Sequence, residues 1–140
     1  MAYDQDNIFA RIVRGEIPCH RVYEDADTLA FMDIMPQSDG HTLVVPKSAG
    51  EDIYSTSPDA AAAAMRTAQI IARAVKKAFA PPGIMIAQLN GAAAGQSVYH
   101  LHLHVIPRYA GKDLGIHAAK QADPAVLAAH AARIRAALQA

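Results

Sequence analysis

Short apolar runs broken by Gly, Pro, Asp and Ser divide this chain into a small number of elements. In "NIFARIVR", Ile8, Phe9, Ile12 and Val13 fall on one helical face, with Asp6 as the N-cap and Gly15 just past the end. Two strand-like runs follow, "HRVYE" and "TLAFMD", joined by the polar "DAD". "MPQSDG" reads as a loop, and "HTLVVP" is a third β-branched run, closed by Pro46. The longest periodic stretch is "SPDAAAAAMRTAQIIARAVKKAFAPPG", a helix with Ser57 as N-cap, Pro58 at the first position and a Pro-Pro-Gly stop. "IMIAQL" is the fourth strand, and "NGAAAG" a loop. The fifth strand lies in "QSVYHLHLHVIPR", where apolar and histidine positions alternate. Leu127, Ala131, Ile134 and Leu138 recur at helical spacing in the tail, behind an Asp123 cap. Successive strands with few crossover helices predict an α+β domain. It should have a mostly antiparallel five-stranded sheet, a short N-terminal helix, a long helix and a C-terminal helix. No repeat or linker divides the chain. The expectation is one domain over residues 1–140, with a core at about 6–110 and a helical tail at about 118–139.

Composition narrows the function. At 52% apolar and 19% charged residues the chain reads as globular. Thirteen basic and thirteen acidic residues balance, which gives no electrostatic reason to expect nucleic acid or an anionic membrane surface as partner. No signal-peptide pattern opens the sequence and no run approaches a membrane span. Cys19 is the one cysteine, so neither a disulfide nor a cysteine-rich metal cage is available, and a reducing cytoplasm is the expected location.

The chemistry gathers in the fifth strand. His100, His102 and His104 are spaced by two, which on a strand puts three imidazoles on one face, roughly 6.5 Å apart. Leu101, Leu103 and Val105 then fill the core face. Surface histidines on a half-exposed strand are the bland alternative; Thr, Lys or Glu would serve that purpose as well. Metal binding is a second possibility, since three His plus water is a catalytic zinc shell, although a straight row suits a tetrahedron poorly. A third is nucleophilic attack on phosphorus by a neutral imidazole, with its neighbours fixing the tautomer and binding phosphate oxygens. The preceding "NGAAAGQS" supports phosphate, because Gly91 and Gly95 can bring backbone N–H groups close to an anion. It is not a Walker A loop: Gln96 stands where the lysine should be.

The stretch "GQSVYHLHLHVIPR" resembles the signature of the histidine triad family, His-x-His-x-His among apolar residues. "NIFARIVRGEIP", "VYEDADTLAFMDIMPQSDGHTLVVPK" and "LNGAAAGQSVYHLHLHVIPRY" resemble further family segments in the same order, covering most of residues 6–110. The wording is similar to the Hint-type branch, nucleoside phosphoramidate hydrolases that bind purine nucleotides. The branch that cleaves dinucleoside polyphosphates is the runner-up. The resemblance implies a metal-independent hydrolase acting at the α-phosphorus of nucleoside phosphoramidates. Its intermediate would be a nucleotidyl-histidine and its product a nucleoside monophosphate of AMP or GMP type.

Roles follow from the same resemblance. His102 matches the nucleophile, His104 the residue on the α-phosphate oxygens, and His100 and His41 the histidines that relay and orient. Ser97 and Asn90 match polar contacts to phosphate and leaving group, with Gln96 beside them. Asp33 matches the carboxylate on the ribose hydroxyls, and Ile8, Phe9, Ile12, Phe31 and Ile34 the apolar slot for the base. His20, His117 and His130 match no role and are expected at the surface. Family members also pair as homodimers through the long helix and an adjacent strand, here residues 60–80 and "IMIAQL". No cofactor is implied. Relatives with a structural zinc have ligands at positions that align with Asn7, Ala10, Ala49 and His100, a set that predicts no metal here. Two other classes stay open: a nucleotide-binding module with little turnover, which would not need His102, and a metal enzyme, which chelators would inactivate.

Overall fold

The structure is a computed structural model that describes residues 2–111 and 120–139; His117 and the beginning of the predicted tail lie outside them. The order of elements is α1 (Ile8–Val13), β1 (Arg21–Glu24), β2 (Thr28–Met32), β3 (Thr42–Pro46), α2 (Pro58–Phe79), β4 (Gly83–Ala87), a 3₁₀ turn (Ala92–Ala94), β5 (Leu103–Arg108) and α3 (Pro124–Leu138). The strands form a five-stranded sheet in the order β1-β2-β3-β5-β4, with every neighbouring pair antiparallel. The architecture is the α+β arrangement expected from the strand succession.

Strand alternation separates two apolar layers. On one face Ala30, Met32, Val44, Leu103 and Val105 pack against Ala64, Ala68, Ile71 and Val75 of α2 and Leu127, Ala131 and Ile134 of α3. On the other face, among the described residues, Leu29, Phe31, Leu43 and Val45 cluster with Phe9 of α1 and a few partly buried neighbours. Because both faces of the central strands are covered, β2 and β3 are buried at every position. The thin second layer is what leaves room for a cavity beside the histidines.

Local sequence explains the helix ends. The Ser57 hydroxyl accepts the Ala60 N–H at 3.1 Å, and Pro58 occupies the first helical turn of α2, where no backbone donor is needed. At the other end Ala80 sits in the left-handed region at φ 48°, ahead of a proline that disfavours the helical conformation for it. The α1 cap differs from expectation. Asn7, not Asp6, is the N-cap: its backbone is extended, and its Oδ1 accepts the Ala10 N–H at 2.9 Å. Asp6 instead belongs to the preceding turn, where its N–H donates to Asp4 Oδ1 at 2.8 Å.

Two strand boundaries also shift. β5 begins at Leu103, so His100 and His102 precede the ladder. There the chain is held by loops: the Leu101 N–H donates to Gly50 O at 2.8 Å. β4 ends at Ala87, after which the side-chain amides of Gln88 and Asn90 bond to each other at 2.8 and 2.9 Å. α3 is joined to the body by more than its apolar stripe. Arg133 lies 4.1 Å over the Phe79 ring and donates to Ala78 O at 2.7 Å. His130 is half-buried, edge-on to the same ring at 5.1 Å, rather than a plain surface residue.

Candidate active site

The site is built on the thinly covered face, where the ends of β2, β3 and β5 meet α1. His104 is opposite Leu43 of β3 and Ala87 of β4, which fixes its backbone from both sides. His41 immediately precedes β3, and Gly40 before it has φ +92°. A Cβ at Gly40 would come within 3.1 Å of the Phe79 ring and 3.2 Å of Pro107, so the positive φ and the tight side-chain contacts together favour glycine ahead of His41. Asp33 follows β2 directly and its N–H donates to His41 O at 3.1 Å.

Hydrogen bonds assign a tautomer to each of the four imidazoles. The Gln37 N–H donates to His41 Nδ1 at 3.0 Å, so the His41 proton is on Nε2. Nε2 lies 3.0 Å from His104 Nδ1, which must accept, and 3.4 Å from Asp33 Oδ2. His104 therefore carries its proton on Nε2. His102 Nδ1 donates to the backbone carbonyl of His100 at 2.7 Å, so the His102 proton is on Nδ1 and Nε2 is the unprotonated nitrogen. His100 Nε2 donates to Pro46 O at 2.7 Å, and its Nδ1 faces the Tyr3 hydroxyl at 2.6 Å. The tautomers thus differ along the row: His102 has its proton on Nδ1, His104 has its proton on Nε2, and the His41 and His100 rings are buried beside them.

Burial keeps the supporting rings neutral. His41 is pushed down from 6.5 to about 3, first by desolvation and then by the neighbouring His104 and His102. The Asp33 carboxylate favours the opposite shift, but at 3.4 Å and partly exposed it does not overcome burial. His100 is lowered as well, by desolvation, against the opposing effect of its bond to Pro46. Rings that stay neutral through the physiological range keep their donor and acceptor ends fixed.

A cavity of about 380 Å³ opens beside these groups, within the range of small-ligand sites. Its walls include Ile8, Phe9, Ile12, Phe31 and Ile34, together with Asp33, Ser97, His102 and His104. Phe9 stands edge-on to His102 with centroids 4.8 Å apart, and the His102 and His104 rings are 4.9 Å apart. His20, expected at the surface, is half-buried and lines the same cavity, as do Ile17, Pro18, Cys19, Met35 and Val98. No sequence pattern marked these; they arrive through the turn between α1 and β1, the connection between β2 and β3 (Met35) and the loop before β5. Burial raises the Cys19 thiol above its ordinary range, which makes it a poor nucleophile.

Asn90 and Gln96 are not among the cavity's lining residues. Asn90 Oδ1 accepts the Ile53 N–H at 2.8 Å. Gln96 is buried: its Oε1 accepts the Gly91 N–H at 2.8 Å, and its Nε2 donates to Glu51 O at 2.7 Å and Val98 O at 3.1 Å. The glycine loop likewise uses its donors internally, with Gly95 N–H on Ala92 O at 3.0 Å. The expectation that Gly91 and Gly95 offer their amides to an anion is therefore corrected. The loop closes a 3₁₀ turn and is braced by Gln96, which positions Ser97 on the cavity wall.

This constellation, paired neutral imidazoles with a carboxylate and an apolar slot on an antiparallel α+β fold, defines a histidine triad protein. The HIT domain family matches residues 14–111, and the chain belongs to that family. It is 40% identical over 103 residues to the adenylylsulfatase HINT3 of Arabidopsis thaliana, covering 74% of this chain and 52% of that protein, about half its length. A Hit-like protein involved in cell-cycle regulation from Bartonella henselae superposes with a TM-score of 0.91 at 48% identity, covering 97% of this chain and 99% of its own. A Zn-bound histidine triad family protein from Mycobacterium smegmatis gives 0.85 at 38% identity, covering 96% and 94%.

That zinc-bound neighbour makes the fit of a metal here a question of donors. Ala10 and Ala49 have none, Asn7 uses its amide to cap α1, and both nitrogens of His100 are engaged. The four positions do not fit a structural zinc. Among the described residues Asp33, His41 and His104 bring donor atoms within 4.8 Å of one another. There the Gln37 N–H requires His41 Nε2 to hold the proton, which removes the lone pair a metal would use. No helix among the described residues is long and apolar enough to cross a membrane.

Proposed function

We propose that this protein is a nucleotidyl hydrolase that cleaves nucleoside phosphoramidates at the α-phosphorus through a covalent intermediate on His102. The observation that carries the reading is the 2.7 Å bond from His102 Nδ1–H to the His100 carbonyl. It leaves Nε2 unprotonated in the cavity, and it stabilises the imidazolium that forms when Nε2 bonds to phosphorus. In the first step the P–N bond breaks as the P–Nε2 bond forms, and the leaving nitrogen takes a proton from the solvated mouth, where Ser97 is exposed. In the second step water attacks phosphorus and loses a proton to solvent. The P–Nε2 electrons return to the ring, and nucleoside monophosphate is released. His104 Nε2–H donates to the non-bridging oxygens. Its tautomer is set by His41, and that of His41 by the Gln37 amide.

Asp33 accepts from the ribose hydroxyls, and the base, a purine by family resemblance, lies between the aliphatic and aromatic walls. Ile34 and Met35 are exposed at the rim, as a slot open to ligand requires. The name of the HINT3 relative favours a second leaving group, sulfate, which departs from the same nucleophile without needing a proton. The deciding experiment is a product assay with adenosine phosphoramidate, adenylyl sulfate and a dinucleoside polyphosphate, run on wild type and His102→Ala. Fastest release of monophosphate from the phosphoramidate, abolished in the variant, is expected. Faster turnover of one of the other two reassigns the leaving group, and binding of monophosphate without turnover of any makes the protein a nucleotide-binding module.

We infer also that the protein works as a homodimer. Met65 on α2 and Ile86 on the edge strand β4 are exposed and line a shallow apolar groove of about 560 Å³ with Ala62, Ala68 and Ala72. A second copy of the same surface covers it and continues the sheet.

A further inference from the structure

The N-terminal segment ahead of α1 reaches the back of the catalytic row. Tyr3 is half-buried and its hydroxyl lies 2.6 Å from Nδ1 of His100, a residue 97 positions away and 1% exposed. The rings meet at 5.8 Å centroid distance and 61°. The approach is fixed by a compact turn. Asn7 Nδ2 donates to Asp4 O at 2.7 Å, Asp4 Oδ1 accepts the Asp6 N–H at 2.8 Å, and Arg14 Nη1 donates to Gln5 O at 2.7 Å. Beyond the turn, α1 places Phe9 edge-on against His102. One segment of about seven residues thus contacts the two histidines that the nucleophile's geometry depends on.

From this geometry we propose that Tyr3 is a positioning residue for the reaction: it locks His100 so that the His100 backbone carbonyl holds the nucleophile His102 in its reactive tautomer. The chain of dependence is short. His100 Nε2 must carry the proton to bond Pro46 O, so Nδ1 is an acceptor that needs a donor. The Tyr3 hydroxyl is that donor. With both ring edges tied, the ring is anchored from two sides, which restrains the His100 backbone and keeps its carbonyl aimed at His102 Nδ1–H. Without Tyr3, Nδ1 is open to solvent or to its own proton. The other tautomer would then break the Pro46 bond and release the carbonyl. A hydroxyl far from the cavity therefore acts on the nucleophile through one buried ring and one peptide group.

The proposal rests on His102 being the nucleophile, and Tyr3→Phe tests it with little risk to folding, since the ring is kept and the residue is near the terminus. With adenosine phosphoramidate as substrate, kcat should fall about 3- to 10-fold, the range expected for loss of one neutral hydrogen bond, while KM and monophosphate affinity stay unchanged. Nitrogen-15 NMR of the histidine rings should show His100 Nδ1 moved and His102 no longer wholly in the Nδ1–H form. Wild-type kcat in Tyr3→Phe, or unchanged ring signals for His100 and His102, overturns the proposal. If wild type turns over no substrate, the function proposed above fails. The ring signals then decide this inference alone: unchanged in Tyr3→Phe they overturn it, and moved they leave Tyr3 as the lock on a nucleophile whose substrate is another.

Discussion

His41 has both ring nitrogens committed inside the protein, and this gives a single buried residue control over acid stability. The folded state holds it neutral down to about pH 3, whereas an unfolded chain binds a proton below about 6.5. The unfolded state therefore binds more protons between those values, and stability must fall as pH drops through the window. The slope is about 1.4 kcal/mol per pH unit for one such group. Chemical denaturation from pH 7 to pH 4 should show it, and His41→Gln, which removes the titrating ring, should flatten the acid limb. His100, also held below its ordinary range, leaves a residual slope in the variant. An acid limb equally steep in His41→Gln contradicts the assignment. Reading these residues from sequence was uneven for a physical reason. His102 and His104 stand out in the sequence because period-two alternation marks which positions share a face, whereas Asp33 is reached only through the resemblance of its segment to the family. Tyr3, His20 and Val98 do not stand out, because each reaches the site through a loop or turn with no periodicity to project.

At the scale of elements, α3 is an integral part of the main core rather than an appended tail. Ile134 is fully buried, and Leu127 and Ala131 beside it join the cluster of α2 and the sheet. Ile134→Ala should cost about 2–5 kcal/mol in urea denaturation, the usual range for a buried large-to-small change. A loss below about 1 kcal/mol would mean that α3 docks only loosely. This helix was legible because Asp123, Pro124 and the helical spacing of Leu127, Ala131, Ile134 and Leu138 agree. The start of β5 was less so. His100 and Leu101 look like strand by alternation, yet tertiary bonds to Pro46 and Gly50 hold them instead of a ladder. The α1 cap slipped by one residue because Asp6 and Asn7 are both good caps, and only the Asp4 turn chooses between them.

For the whole molecule, two outcomes follow. A homodimer built on α2 and β4 should sediment at twice the 14.9 kDa chain mass at micromolar concentration. Met65→Asp or Ile86→Asp should shift it toward monomer, and a wild-type monomer at that concentration contradicts the pairing. The second outcome concerns zinc. Apolar contacts of Phe9 and Ile12 and the Tyr3–His100 bond hold the α1 region together here. Protein purified without added metal should contain no stoichiometric zinc, and chelation should leave melting temperature and activity unchanged. One equivalent of zinc per chain in elemental analysis overturns that expectation.

The central claim is that His102 Nε2 becomes covalently bonded to phosphorus, and rapid quenching under non-acidic conditions tests it most directly. Wild type mixed with an adenosine phosphoramidate labelled at the α-phosphorus should yield, in peptide mass spectrometry, one nucleotidyl group on His102. His102→Ala should bind the monophosphate, carry no label and lose turnover by several orders of magnitude. No label on any residue of wild type, together with undiminished turnover in His102→Ala, would contradict the account.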